Sequence, residues 1–181
     1  MIYIPTMNEG YPAKYESRLT LKNGRAVLFR PILQTDKPLI VDLLNKLSPD
    51  AVYLRFLRPV TELPEKMLFQ LTHINYESNF ALVAVIEEHG KDSLIAVARY
   101  GYDTAEKATD FAIAVRDDWQ HLGLGKYMLD KILSIGREHG IFRFVSVIDS
   151  TNHNMKRLLR TLAYKANYSH KGGAIQVEVL V

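Results

Sequence analysis

The chain has 181 residues, a length that suits one hydrophobic core of ~100 to 200 residues and excludes a multidomain assembly. Hydrophobic residues make up 48% and charged residues 24%, inside the range of folded globular proteins and outside that of disordered or fibrous chains. The formal charge of +3 is mild, and the complete lack of cysteine removes disulfide scaffolds, thiolate metal sites and cysteine nucleophiles together.

No apolar run approaches the ~20 residues of a membrane helix. The first ten residues lack the basic and apolar regions of a secretory signal, so a cytoplasmic protein with no membrane partner is expected. A pI near 9.0 suits a small anionic ligand. Lys156, Arg157 and Arg160 form the densest basic group, and a solvated helix face explains it, so no nucleic-acid partner is expected.

In chain order, the first twenty residues show no periodicity. Lys22, Asn23 and Gly24 then supply a turn before a first strand over 26–30. Thr35 and Asp36 are placed to cap a helix carrying Leu39, Ile40, Leu43, Leu44 and Leu47, and Ser48-Pro49-Asp50 starts another. A third helix is predicted over 62–72. Three strands follow in a meander over 80–86, 94–102 and 111–115, rich in β-branched and aromatic residues. The spacing of Leu124, Met128, Ile132 and Ile135 predicts a helix over 123–139 with Gly140 as its C-cap. A buried strand over 142–148, a helix over 152–162 and a final hairpin, 164–168 with 174–181 around Lys171-Gly172-Gly173, complete a mixed α and β domain. That hairpin is able to pair within one subunit or across a homodimer.

Chemistry concentrates in Val115-Arg116-Asp117-Asp118-Trp119-Gln120-His121-Leu122-Gly123-Leu124-Gly125-Lys126, between a strand and the strongest helix. A glycine in a helix's first turn costs about 1 kcal/mol relative to alanine, so two of them call for a reason. A strand, a glycine-bearing loop and the unpaired amides of a helix start together make a phosphate cradle, with a pyrophosphate as its natural guest. A turn glycine plus a helix-packing glycine, with no ligand, is the plainer alternative. The glycine order is neither G-x-G-x-x-G nor G-x-x-x-x-G-K-S/T, which disfavours dinucleotide-binding and P-loop readings. The six histidines show no metal-ligand spacing, and no metal is expected.

Residues 120–125 resemble the Q/R-x-x-G-x-G/A acetyl-CoA motif of the GCN5-related N-acetyltransferase (GNAT) family. The likeness extends to residues 147–155, which include the asparagine Asn152, and to Leu162-Ala163-Tyr164 in place of a common Leu-Gly-Phe. Residues 24–31 with Asp36, Tyr53-Leu54-Arg55-Phe56 and Leu71-Thr72-His73-Ile74-Asn75-Tyr76 resemble the acetyltransferase module of bacterial Pat-type protein lysine acetyltransferases.

The resemblance implies an α/β (α+β) fold: one domain over 22–181 with a central mixed, mostly antiparallel twisted sheet flanked by helices, after an N-terminal extension 1–21. It implies acetyl-CoA as co-substrate, held by Ile113, Ala114 and Val115 of a splayed, bulged strand, by Gln120, His121, Leu122, Gly123, Leu124, Gly125 and Lys126 of the loop, and by Asn152. Lys156 and Arg157 would meet the 3′-phosphate of CoA. The acceptor implied is a protein lysine, with an acyl-CoA synthetase as the typical partner; a small-molecule amine, and a non-catalytic acyl-CoA sensor, are the alternatives.

A lysine amine is only ~0.1% neutral at pH 7, a handicap of about 4 kcal/mol, so a base is useful. The family's glutamate position is filled by Asp110, one methylene shorter, which calls for a water relay. A hairpin-turn role for Asp110 is the alternative, and Glu87, Glu88 and His73 are fallback bases. Where many members place a tyrosine acid for the leaving thiolate, seven residues after the asparagine, this chain has Leu159; Tyr127 and Tyr164 are near in sequence.

Overall fold

The computed structural model of the chain describes residues 10–105 and 107–181. Its strands are β1 (Ser17–Thr20), β2 (Ala26–Pro31), β3 (Asn79–Glu88), β4 (Lys91–Asp103), β5 (Ala108–Val115), β6 (Arg143–Ile148), β7 (Lys165–Lys171) and β8 (Ala174–Leu180). Its α-helices are α1 (Lys37–Lys46), α2 (Pro49–Phe56), α3 (Glu65–Thr72), α4 (Leu124–Glu138) and α5 (His153–Leu159). The strands form one sheet in the order β1-β2-β3-β4-β5-β6-β8-β7. Every neighbouring pair is antiparallel except β5 and β6. A parallel pair cannot be joined by a hairpin, and α4 makes that crossover. The mixed, mostly antiparallel sheet flanked by helices is the architecture expected.

β3 is buried on both faces, which is why residues 80–86 are apolar without interruption. Phe80, Leu82, Ala84 and Ile86 enter the core that includes α4, while Ala81, Val83 and Val85 enter the one beneath α1, α2 and α3. The β3–β4 register shifts between Ala84, opposite Ala96, and Val85, opposite Leu94. Ile95 is thus an extra residue, and it joins Ala96 in the α4 core.

α4 buries Leu124, Met128, Leu129, Ile132, Leu133 and Ile135, each contributing about 1.5–3 kcal/mol. It approaches the sheet closely because Gly136 has no side chain: a Cβ there would lie 2.4 Å from Phe144 Cζ. Gly140, at φ +81, ends the helix as expected.

Some elements differ from expectation. β1 arises in a run without periodicity and pairs with β2 from Ser17↔Phe29 to Thr20↔Ala26. Within the expected extension 1–21, Tyr15 is buried in the α4 core, and residues 1–9 lie outside the described residues. α3 starts at Glu65 because Pro64 is extended at its N-cap. α5 ends at Leu159, short of the expected 162. Asp36 stands at the N-cap of α1 without capping it: its carboxylate is drawn to Arg30, Nη1 at 2.6 Å and Nη2 at 2.8 Å, and to Leu33 N at 2.7 Å. Ser48 does cap α2, its Oγ accepting from Ala51 N at 3.2 Å. No helix among the described residues is long and apolar enough to cross a membrane.

Candidate active site

β5 and β6 pair at one point, Thr109↔Phe144, and beyond it they diverge. Arg116 N donates to Ile95 O at 2.9 Å, so alternation along an antiparallel pair sends the Ala112 and Ala114 amides toward β4. The Ile113 and Val115 amides therefore point into the gap. The expected bulge in this strand is not what opens it: the register irregularity lies between β3 and β4, and the gap comes from the single-point pairing.

The chain leaving β5 is anchored before it reaches the glycines. The buried Arg116 clamps Glu88 through Nη1 at 2.9 Å and Nη2 at 3.1 Å, and Asp118 through Nη2 at 2.7 Å. Asp117 accepts from Ser48 N at 2.9 Å and Ser48 Oγ at 2.8 Å, tying the loop to α2. Trp119 fills the core with Arg25 stacked 4.2 Å over its ring. Gln120 Nε2 donates to Val115 O at 3.2 Å.

His121 at φ +62 and Gly123 at φ +87 then curl the backbone into a nest ahead of α4. Among the described residues, no protein acceptor meets the N–H groups of residues 121–126; the first helical bond recorded is Tyr127 N to Gly123 O at 3.1 Å. The two glycines serve different ends. Gly123 supplies the left-handed N-cap, and a Cβ there would meet no protein atom within 4 Å, so what the protein itself requires of this position is its backbone conformation. Gly125 has a Cβ position 3.2 Å from Leu158 Cδ2, which lets α5 close against α4.

A cleft of about 310 Å³ lies over this loop and the gap. Of the residues expected to hold the co-substrate, Ile113, Ala114, Val115, Gln120, His121, Gly123, Gly125, Lys126 and Asn152 line it. Leu122 and Leu124 pack their side chains against the α4 core and leave their backbone N–H groups to the nest. Asn152 Oδ1 accepts from Met155 N at 2.9 Å, so this residue also caps α5. Arg157 lines the cleft, whereas Lys156 donates to Ser150 O at 2.6 Å. Lys126 pairs with Asp130 one turn on.

Asp110 lies in a second, adjoining cleft, beside Arg55, Ala112 and Ser146. Although it is open to solvent, the protein around the cleft raises its carboxyl by desolvation, and Ser146 and the Arg55 charge pull it partly back. The fallback bases stand apart. Glu88 is held by Arg116 and Lys46, and the Arg116 hydrogen bonds lower it to about 2, so it is a permanent anion at neutral pH. His73 stacks on Phe69 at 3.8 Å, and Glu87 faces Asp92 across the hairpin. Leu159 is buried in the core. Tyr127 is committed to Ser17 Oγ at 2.7 Å and to the Phe29 ring, and Tyr164 packs against the core.

The structure adds residues that the sequence left without a role. Ala51, Leu54 and Arg55 bring α2 into the wall of the first cleft, and Asn154, Leu158 and Thr161 extend the α5 side. Arg55 belongs to the Tyr53-Leu54-Arg55-Phe56 segment, and the resemblance of that segment was the one signal the sequence offered for it.

Residues 42–164 match the Acetyltransferase (GNAT) family. A relative named acetyltransferase PA5475, from Pseudomonas aeruginosa, is 30% identical over 145 residues, 80% of this chain and 78% of that protein. The GNAT domain of S. lividans PAT superposes with a TM-score of 0.84 at 26% identity, covering 94% of this chain and 99% of the domain. YncA of Salmonella typhimurium, a putative acetyltransferase solved with its cofactor acetyl-CoA, superposes with a TM-score of 0.65 at 19% identity over 87% of this chain and 94% of that one, a likeness of fold. The matched segment runs from α1 through the nest, the cleft and α5, and the chain belongs to the GNAT family of acetyltransferases.

Proposed function

We propose that the chain transfers an acetyl group from acetyl-CoA to the side-chain amine of a protein lysine, by direct attack and without a covalent enzyme intermediate. The observation that carries this reading is the run of backbone N–H donors at 121–126, unmet by protein acceptors and opening on a cleft that also contains the β5 edge. A pyrophosphate fits such a nest, and Arg157 adds positive charge, while the charge of Lys126 is shared with Asp130. The gap between β5 and β6 accepts an extended, amide-bearing chain in the place of a missing strand, with the Ile113 and Val115 amides as its donors.

The same donors are placed to hold the negative charge that develops on an attacked thioester carbonyl. Asp110 acts as the base. Three residues at ~3.3 Å each separate it from Ile113, about 10 Å and beyond direct reach, so the proton leaves the amine through water. With Leu159 buried and both tyrosines engaged, the thiolate departs without a side-chain acid; a thiol pKa of about 8.5 makes it a tolerable leaving group. The protein-lysine assignment draws support from the likeness to the S. lividans PAT domain over nearly its whole length.

Calorimetric titration with acetyl-CoA, followed by acetylation assays on native proteins, the same proteins denatured, and free amines, tests the proposal. Micromolar binding with transfer confined to native proteins supports it. Transfer to free amines alone assigns a small-molecule acceptor, tight binding without transfer assigns a sensor, and no binding removes the cofactor assignment.

A further inference from the structure

Four arginines of this chain are set into or beside its core, and they are treated differently. Arg30 is paired at both Nη atoms with Asp36, and Arg116 is paired with Glu88 and Asp118. Arg55 and Arg99 are half-buried, and among the described residues neither has an ion pair or a hydrogen bond to protein; the Phe56 ring lies 4.9 Å from the Arg55 guanidinium, and the Asp110 charge acts on both arginines without pairing with either. Both line one otherwise apolar pocket between the sheet and helices α1 to α3, with Ala114 at its floor.

The register fixes their relation to the proposed base. Arg99 lies opposite Ala112, and Gly101 lies opposite Asp110, so Arg99, Asp110, Ala112 and Ala114 share the sheet face turned toward α1, α2 and α3. Arg55 reaches this place from the last turn of α2 and lines the co-substrate cleft and the Asp110 cleft as well. Desolvation, reinforced by the Arg55 charge, lowers Arg99 to about 10, and desolvation lowers Arg55 also, in each case against a smaller opposing pull from Asp110. Two guanidiniums crowded together in this way favour an arriving anion. They also oppose an arriving ammonium, which meets more positive charge than Asp110 alone offsets.

We propose that Arg55 and Arg99 form an anion subsite on the acceptor side of the cleft, and that the acceptor amine is carried by a molecule presenting a carboxylate beside it, namely a lysine flanked by an acidic residue. This rests on the acetyltransferase reading above and narrows its acceptor. The carboxylate satisfies the two guanidiniums, and the ammonium, no longer repelled, is left to Asp110.

The test uses two blocked peptides identical except for Glu or Gln next to the single lysine. Each is titrated calorimetrically into the protein with and without CoA, and each is assayed for acetylation. A hydrogen-bonded charge pair predicts that the Glu peptide binds about ten- to hundredfold more tightly and shows the gain in KM. Arg99→Gln closes that gap, Arg99→Lys restores part of it, and acetyl-CoA affinity holds in both variants. Equal affinity of the two peptides for the wild-type protein, or a gap that survives Arg99→Gln, overturns the subsite; weakened acetyl-CoA binding in Arg99→Gln reassigns the pair to the thioester substrate. A wild-type protein that binds the Glu peptide selectively yet ignores acetyl-CoA keeps the subsite and refutes the acetyltransferase reading instead.

Discussion

Gly123 separates two explanations of the glycine loop. Its backbone sits at φ +87, ψ −4 as the N-cap of α4, with open space where a Cβ would stand. Alanine there meets no atom, so its cost is the left-handed conformation alone, about 1–2 kcal/mol. In a domain of this size that lowers Tm by roughly 2–8 °C. Asparagine tolerates the left-handed region far better, so Gly123→Asn should retain most of the stability that Gly123→Ala loses. Thermal and urea unfolding of the two variants give the stability difference, and titration with acetyl-CoA gives the affinity in parallel. If the backbone argument holds, Asn outperforms Ala in both measurements, because the nest amides keep their direction. Two variants of unchanged stability that both fail to bind acetyl-CoA would refute it and make close approach of the ligand to the backbone the reason for glycine.

Asp110→Asn should reduce turnover about 10²- to 10⁴-fold with acetyl-CoA affinity preserved, and wild-type rates across the pH range would move the base elsewhere. Because the surrounding cleft desolvates this exposed carboxyl and raises it in the folded state, its ionisation costs stability as pH rises from the unfolded-state value through the raised one; the variant should be the more stable protein at neutral pH, with the advantage vanishing below the unfolded-state value. Glu88, lowered from 4.5 to about 2 by the Arg116 hydrogen bonds, has the opposite sign: its contribution, on the order of 1–2 kcal/mol once solvent screening is counted, is present above the unfolded value and is lost as pH falls through about 2. Urea unfolding of Glu88→Gln against wild type should show that difference at neutral pH and its disappearance in acid. Gly136→Ala drives a Cβ to 2.4 Å from the fully buried Phe144 ring and should cost about 1–3 kcal/mol, recovered in part by Phe144→Leu; unchanged unfolding would contradict the packing described.

The helices and the central strands were legible because their periodicities differ: α4 repeats its apolar residues every three or four positions, and β3 is apolar at every one. The nest was legible too, since Gly123 and Gly125 interrupt a helix start that propensity alone would not interrupt. β1 was not, because a four-residue edge strand with three exposed positions carries no alternation to read. The fate of Asp36 was hidden for another reason. A carboxylate before a helix reads as a cap, and only the fold brings the Arg30 guanidinium within 2.6 Å of it. The acceptor side depends on contacts of that kind throughout. Arg55 and Arg99 are 44 positions apart, on a helix and on a strand, and nothing local in either segment announces the other.

The single bridge between Thr109 and Phe144 divides the backbone hydrogen-bond network of the sheet into a five-stranded ladder and a three-stranded one. What joins them beyond that bridge is side-chain packing under α4 and α5, which carries none of the cooperativity of a continuous ladder. The seam where the ladders part is the cleft itself. A molecule spanning it, touching the β5 edge on one bank and α5 on the other, acts as a strap across two units able to open independently, and it stabilises the native state in proportion to the logarithm of its concentration over its Kd.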